Sequence, residues 1–412
     1  MHVFRFHFSV TNDSSDHIQK RTVLSMATPD RDEAFAPSLD FFDSPLFVTA
    51  QQFRIPVKTT CVTTCGMAAS TSQGLLALSL KLNAWRPVDV VYIYAIQLML
   101  SPSPGLHLEH VKTISPQRGP RDIPGETLQM RLQFTHFGRG AGKLAFTDTG
   151  PLQLLVTDVS DPREAAQVID MTHLSHAGHL PTPQGFGIPS GVACRGAAAA
   201  VSFSKATAVC AGADGVALYQ RTDCVWAVVR RLGTPHGQWH LPAGLCFSRD
   251  GDKLAVTNAR HLFMTCRESR GQVGMFQTSD GAYIGDLPQT NKTPCKVVEC
   301  DKGWVTLDAQ TGYFDIVTQE PDGDHLHARA TDINVLPHGR IKEFVVVPGL
   351  GLVTSIAGTQ PQCMLYVVTT PDFIAMNSMS ANRVAWMGAV VRGTHRRRLR
   401  AVLEAKRAKT GS

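Results

Sequence analysis

The stretch that decides the fold is Ala243–Asn258, with the sequence AGLCFSRDGDKLAVTN. It contains two short apolar runs, at 245–247 and 254–256, separated by Asp250 and Gly251. Aspartate and glycine are residue types that accept the positive φ of a tight turn, and alternating apolar residues on either side of such a turn are typical of paired strands. The stretch therefore predicts two antiparallel strands joined by a turn.

Two further strands are predicted directly after this pair. Gly271–Phe276 is a third apolar run, and a Ser-Asp-Gly turn at 279–281 leads to a fourth run at 282–285. Four consecutive antiparallel strands form the unit of a propeller blade. Alternation along these strands predicts six side chains buried between blades: Leu245, Phe247, Leu254, Val256, Val273 and Phe276.

The same theme recurs along the chain. First strands begin near Ala145, Val192, Leu245, Val297 and Val345, and subtraction of these positions gives steps of 47, 53, 52 and 48 residues. A near-constant period of this length indicates a repeat architecture. A further copy is placed at 75–79 and 90–94. The prediction is an all-β propeller of about six four-stranded antiparallel blades, with five or seven as open alternatives.

Composition divides the chain into three parts. Residues 1–52 show no sustained periodicity and are interpreted as an irregular leader, and residues 53–370 as the propeller, with a Pro-, Gly- and Ser-rich insertion at about 101–125. Residues 371–412 are rich in Ala, Met, Arg and Leu with apolar residues at helix-like spacing, which predicts a short, basic, helical tail.

The middle of the chain resembles the NHL-repeat family. The resemblance rests on Leu232-Gly233, on Leu241–Leu245 (LPAGL), on Leu254–Asn258 (LAVTN) and on Val273–Phe276. In that family a blade begins with a Gly-rich turn and continues through a Pro-Gly-hydrophobic strand to a Val-x-Asp or Val-x-Asn corner. The resemblance implies a propeller whose loops bind partners. WD-repeat propellers are the rival family, but regularly placed Gly-His and Trp-Asp pairs are missing here.

Composition and targeting signals favour a folded intracellular protein. The chain is 43% hydrophobic and 18% charged, which excludes general disorder. The first 21 residues lack the basic and apolar regions of a secretory signal, and the longest apolar run, Val90–Leu100, is shorter than the roughly 18 residues of a membrane helix. We therefore expect a cytoplasmic or nuclear location without membrane insertion. The ten cysteines are interpreted mostly as reduced thiols.

One histidine triplet is the strongest candidate for chemistry. His173, His176 and His179 stand three residues apart, and three imidazoles can bind zinc. Catalytic ligands in a propeller come from different blades, so solvated loop histidines are the preferred interpretation. Common nucleophile, phosphate-binding and zinc-protease motifs are missing from the sequence. We expect no catalytic residue, no cofactor and no metal, while a metal-dependent lyase or hydrolase remains an alternative.

The basic charge of the chain is concentrated in its tail. Between 383 and 409 there are nine Lys or Arg and one acid, a balance of +8, whereas the whole chain carries +6, so the remainder sums to −2. Clustered cations favour binding to phosphates. The candidate residues for contact with RNA or another acidic partner are Arg392, Arg396, Arg397, Arg398, Arg400, Lys406, Arg407 and Lys409.

The sequence therefore favours a non-enzymatic interaction scaffold whose propeller face binds an unknown protein partner. The alternatives are binding of RNA or another acidic partner through the tail, and metal-dependent catalysis on the propeller.

Overall fold

The computed structural model describes residues 48–369 except for 56–61, 71, 83–87, 100–104, 115–141, 158–162, 206–211, 224, 234–238, 240, 259–270, 289–292, 301–302, 310–311, 313, 320–324, 331–339, 348–350 and 358–362. The described part contains six sheets, each of four antiparallel strands. The predicted all-β architecture and the count of six blades are confirmed. None of the described residues forms a helix long and apolar enough to cross a membrane. The predicted tail lies outside the described residues.

The blades follow one another along the chain. Blade 1 consists of β2 (Val62–Ser70), β3 (Leu75–Leu82), β4 (Val88–Met99) and β5 (Gly105–Ile114); blade 2 of β6 (Leu144–Phe146), β7 (Gln153–Thr157), β8 (Glu164–Asp170) and β9 (Ser175–Pro181); blade 3 of β10 (Ile188–Arg195), β11 (Ala198–Ser204), β12 (Gly215–Thr222) and β13 (Val225–Leu232). Blade 4 consists of β14 (Pro242–Phe247), β15 (Lys253–Asn258), β16 (Gln272–Gln277) and β17 (Tyr283–Asp286); blade 5 of β18 (Pro294–Cys300), β19 (Gly303–Asp308), β20 (Phe314–Gln319) and β21 (His325–Ala330); blade 6 of β22 (Arg340–Val347), β23 (Gly351–Ala357), β24 (Cys363–Thr369) and β1 (Val48–Ile55).

The two ends of the described chain close the ring. β1 pairs antiparallel with β24, from Val48 opposite Thr369 to Ile55 opposite Cys363, and so supplies the fourth strand of blade 6. The first strands β2, β6, β10, β14, β18 and β22 contact one another in turn, and β22 contacts β2 again. This circular arrangement places the first strands around the axis and the last strand of each sheet at the periphery.

Two boundaries differ from the pattern expected from sequence. The expected division between leader and propeller at residues 52 and 53 falls inside β1. Part of the predicted insertion forms β5, where the buried Leu106 and half-buried Leu108 alternate with polar residues and belong to the cluster between blades 1 and 6. Alternation of this kind is enough for a half-buried edge strand.

The core lies between blades, and successive residues of a strand pack on opposite sides. In β15, Leu254 and Val256 pack toward blade 3, whereas Ala255 packs toward blade 5. All six side chains predicted to be buried are buried. Five of them belong to the cluster between blades 3 and 4, and Val273 belongs to the cluster between blades 4 and 5. The two-residue period explains this division.

The Asp-Gly turn has the expected chemistry. Gly251 adopts a φ of 84°, and the Asp250 carboxylate accepts hydrogen bonds from the Ser248 hydroxyl at 2.5 Å and from the backbone N–H of Asp252 at 3.0 Å. A second turn repeats it, with Gly281 at a φ of 77° and the Asp280 carboxylate accepting from the Ala282 N–H. These bonds fix the connections within blade 4.

Gly191 marks a close approach between blades 3 and 4. A Cβ at this position would lie 1.8 Å from the carbonyl oxygen of Ala243, on the neighbouring inner strand. Only glycine fits there without moving backbone, because that contact distance is far below van der Waals separation.

We therefore expect Gly191→Ala to lower the free energy of unfolding by about 1–3 kcal/mol through overpacking. Chemical denaturation measures this loss. Gly233→Ala is the matched control, because its Cβ would meet no atom within 4 Å. Equal effects of the two substitutions would contradict the close approach.

Candidate functional site

The inner strands share an irregularity near their first residues. In β2, β10, β14, β18 and β22 the pairing with the second strand shifts register. Such a bulge bends a strand and re-aims the side chain that follows. The residues after the shift are Gly66, Gly191, Lys296 and Glu343 in four of these strands. In β14 the shift spans 242–245 and includes Gly244, whose N–H donates to the Thr257 hydroxyl. Lys143 takes the corresponding position before β6, where its N–H donates to the Thr157 hydroxyl. Three blades therefore have glycine at this level, and three have a charged residue.

The three charged residues meet inside the ring. One carboxylate oxygen of Glu343 accepts a hydrogen bond from Nζ of Lys143, and the other accepts from Nζ of Lys296 at 2.7 Å. Nζ of Lys296 also lies 3.4 Å from the carbonyl oxygen of Met67 and 5.5 Å from the ring centroid of Phe344. The Lys143–Glu343–Lys296 cluster thus joins blades 2, 5 and 6.

Burial and mutual attraction set the charges of this cluster. The Glu343 side chain is 3% exposed and each lysine side chain is 19% exposed. Burial alone would raise the pKa of Glu343, but the two ammonium groups outweigh it and hold the pKa below its usual value. Burial would likewise lower the pKa of Lys143, but Glu343 outweighs burial and raises it. The shifts of Lys143 and Glu343 both favour the charged forms of this pair.

The cluster lies at one end of a central channel. The cavity has a volume of about 340 Å³ and is lined by residues from the inner strands of all six blades. Between its ends, the lining side chains are mostly small or aliphatic: Ala68, Ala145, Ala193, Cys246, Val298 and Val345.

The opposite end of the channel carries a second charged group. Nη1 of Arg195 lies 2.8 Å from the Asp148 carboxylate, and Nη2 donates to the carbonyl of Arg249. Glu299 lines the same end, and its burial raises the pKa of its carboxyl group in spite of the nearby Arg249 and Arg195. The arginines here are thus engaged with partners on the ring itself.

The described thiols of the channel are held in their neutral form. Burial raises the pKa of Cys194, Cys246 and Cys295 to about 12 in each case. These cysteines and Cys65 are free in the described part of the chain. A neutral thiol is a poor nucleophile, so these cysteines act as small packing residues.

The candidate histidines lie on the outside of blade 2. Nδ1 of His173 lies 2.5 Å from the Asp170 carboxylate in the turn before β9, and Nδ1 of His179 lies 3.2 Å from Glu164. His176 and His179 are exposed on β9, so they belong to a strand and not to the predicted loop. Within the described ranges, no group of three or more His, Cys, Asp or Glu is placed to hold a metal ion.

The basic residues predicted to contact acidic partners, from Arg392 to Lys409, lie outside the described residues. The sequence analysis missed Lys143, Lys296 and Glu343. In the sequence, the only indication of these residues was a charged side chain at the position in the repeat where three other blades have glycine.

The outermost strands carry the exposed apolar surface. Among the described residues, the large hydrophobic side chains that are exposed are Val225 at 67%, Val229 at 57% and Ile284 at 51%. Val225 and Val229 lie on β13 and Ile284 lies on β17. Both strands form the outer edge of their sheets.

Comparison with known proteins gives structural similarity alone. No protein-family model and no curated protein matches the sequence. Hydrazine synthase from Kuenenia stuttgartiensis is similar in structure, with a TM-score of 0.46 and 11% identity, over 80% of this chain and 82% of that one. TolB from Acinetobacter baumannii has a TM-score of 0.42 and 12% identity, over 72% and 64%. A chain of a nidogen/laminin complex has a TM-score of 0.41 and 11% identity, over 64% and 79%. At these values the similarities carry no functional argument.

Proposed function

We propose that this chain is a non-enzymatic protein-interaction scaffold that binds an extended segment of a partner protein along β13, the outer edge of blade 3. The observation that carries the proposal is the exposure of Val225 and Val229 on this strand. Exposed apolar residues on a long sheet edge favour pairing with another strand unless something covers them.

The geometry of β13 suits strand addition. One side of β13 pairs with β12 over residues 225–228 and 230–232, with a register shift at Val229, and β13 is the last strand of its described sheet. A partner strand can therefore form backbone hydrogen bonds with the open side, while alternate side chains supply specificity. Trp226 lies on the same strand and is buried, and the Arg221 guanidinium lies 5.5 Å from the centroid of its indole. These contacts anchor β13 to the propeller.

The NHL-like character belongs to the same proposal. It is supported by residues 242–245 and by Asn258, which lie on β14 and β15 of a regular four-stranded blade. The proposal includes an intracellular location and no cofactor.

Photo-cross-linking tests the proposal. We expect a photoreactive amino acid at position 229 to give a discrete protein adduct in cells, because this position faces the partner strand. The matched control is position 252, which is also exposed but lies in the turn before β15.

Val225→Lys in the same chain should abolish the adduct without changing the thermal unfolding midpoint, since Val225 is 67% exposed. Adducts of equal yield at positions 229 and 252, or persistence in Val225→Lys, would contradict a binding site on β13.

A further inference from the structure

The channel has a surplus of positive charge at one end. Within the described part of the chain, the ammonium groups of Lys143 and Lys296 both contact one carboxylate, that of Glu343. Charge removed from water is costly unless it is paired, so a half-buried surplus cation favours an anion nearby. This surplus is independent of the surface proposed to bind a protein.

The ammonium groups also have hydrogen-bond donors to spare. Each has three donors. Within the described part of the chain, Nζ of Lys143 donates to Glu343, and Nζ of Lys296 donates to Glu343 and to the Met67 carbonyl. The remaining donors can serve both oxygens of a second carboxylate, and such charge-assisted bonds are the strong ones.

The rest of the cavity has aliphatic side chains along part of its wall and is of useful size. A volume of about 340 Å³ has room for roughly ten water molecules at about 30 Å³ each. Beyond the ammonium groups the wall includes Ala68, Ala145 and Ala193, whose methyl groups leave space near the axis. A ligand with one charged end and a short apolar body matches these two surfaces.

The arginine end is a weaker anion site. Arg195 is paired with Asp148 and with the Arg249 carbonyl, and Glu299 adds a carboxyl group beside them. A ligand carboxylate is therefore favoured at the lysine end and disfavoured at the other.

We propose that the central channel binds a small organic monocarboxylate, with its oxygens against the ammonium groups of Lys143 and Lys296 and its apolar body along the alanine-lined wall. Binding at this site needs no covalent step and no cofactor.

Calorimetric titration of the purified full chain with sodium butyrate, at constant ionic strength set with sodium chloride, tests the proposal. We expect one site per chain. Lys296→Met should weaken binding by about tenfold or more, because a charge-assisted hydrogen bond is lost while Glu343 keeps Lys143 as its partner. Lys296→Arg should retain binding because it keeps the charge. Lys253→Met is the matched control, since Lys253 is exposed on blade 4.

A second measurement does not depend on any variant. With alanine methyl groups labelled in the wild-type chain, intermolecular NOEs should connect butyrate protons to Ala68, Ala145 and Ala193. Their absence would overturn the proposal, as would lack of butyrate binding or equal binding by Lys296→Met. Chloride binding as tightly as butyrate would overturn the assignment of an organic ligand.

Discussion

Glu343→Gln is expected to lower the free energy of unfolding by about 3–5 kcal/mol, since removing one partner of a buried ionic group leaves the other charges uncompensated. Glu343 is 3% exposed and accepts from both Lys143 and Lys296. The substitution keeps the size of the side chain, so the loss reports charge and not packing. Denaturant unfolding followed by circular dichroism measures it.

The control replaces the whole cluster. A chain with Lys143→Met, Glu343→Leu and Lys296→Met leaves no unpaired charge, and apolar replacements of a buried ionic group are often neutral or stabilising. We expect this triple variant to be much more stable than Glu343→Gln. If Glu343→Gln unfolds at the wild-type denaturant concentration, water solvates the cluster and it does not hold the blades together.

Acid should remove the difference between wild type and Glu343→Gln. The pKa of Glu343 is lower in the folded state than its ordinary value of 4.5, so the carboxylate stabilises the fold above that value. As the pH falls below 4.5 and through the lowered pKa, the wild-type carboxylate becomes protonated and its contribution is lost. A difference that stays constant across this range would contradict the ionic origin of the effect.

The repeat could be predicted because blade residues obey local rules. Alternating apolar residues beside Asp250-Gly251 indicate two paired strands, and the regular spacing of such units indicates about six blades. The burial of Leu254 and Val256 follows from the same alternation. Inner-strand positions such as Val192 and Val297 were found for this reason.

The strand that closes the ring could not be predicted in the same way. The fourth strand of blade 6 is β1, which precedes its partner β24 by some three hundred residues in the chain; for instance, Val48 pairs with Thr369. A pairing so distant leaves no local pattern. β5 was hidden for a different reason, because Pro and Gly on both sides of 105–114 resemble a loop.

The charged cluster needed the structure because its three residues are far apart in sequence. Lys296 directly precedes Val297, just as Gly191 directly precedes Val192. One copy of the repeat therefore has lysine at the position where another has glycine. That difference marks an unusual position, but only the ring brings Lys143 and Lys296 to the same carboxylate. The mean charge of a repeat says nothing about which charges meet at the axis.

The ring separates two kinds of surface. Around the axis, neighbouring inner strands approach closely where glycine allows backbone contact, as at Gly191. Where Lys143, Lys296 and Glu343 stand in place of glycine, the inner surface is charged. The periphery has unpaired sheet edges, because each blade ends at an outermost strand. A small ligand in the channel and a protein on β13 would therefore bind to different positions on the blades. Either binding site can be altered by substitution without changing the other.

Phe247→Ala is expected to cost about 3–5 kcal/mol of unfolding free energy, because it removes a large buried side chain and leaves a cavity between two blades. Phe247 is 6% exposed and pairs with Leu254 across blade 4. It belongs to a cluster that includes Trp239, Phe276 of blade 4 and Leu218 of blade 3, so loss of the Phe247 side chain weakens the contact between blades 3 and 4.

Ile284→Ala is the matched control, since Ile284 lies on the same blade but is 51% exposed, and surface substitutions of this kind usually stay within about 0.5 kcal/mol. Denaturant unfolding of both variants separates the two cases. The difference is large because a ring depends on every interface between blades: once blades 3 and 4 pack less well, the pairing of β1 with β24 has less support from the rest of the circle. If Phe247→Ala lost no more stability than Ile284→Ala, the register of β14, and with it the interface between blades 3 and 4, would be wrong.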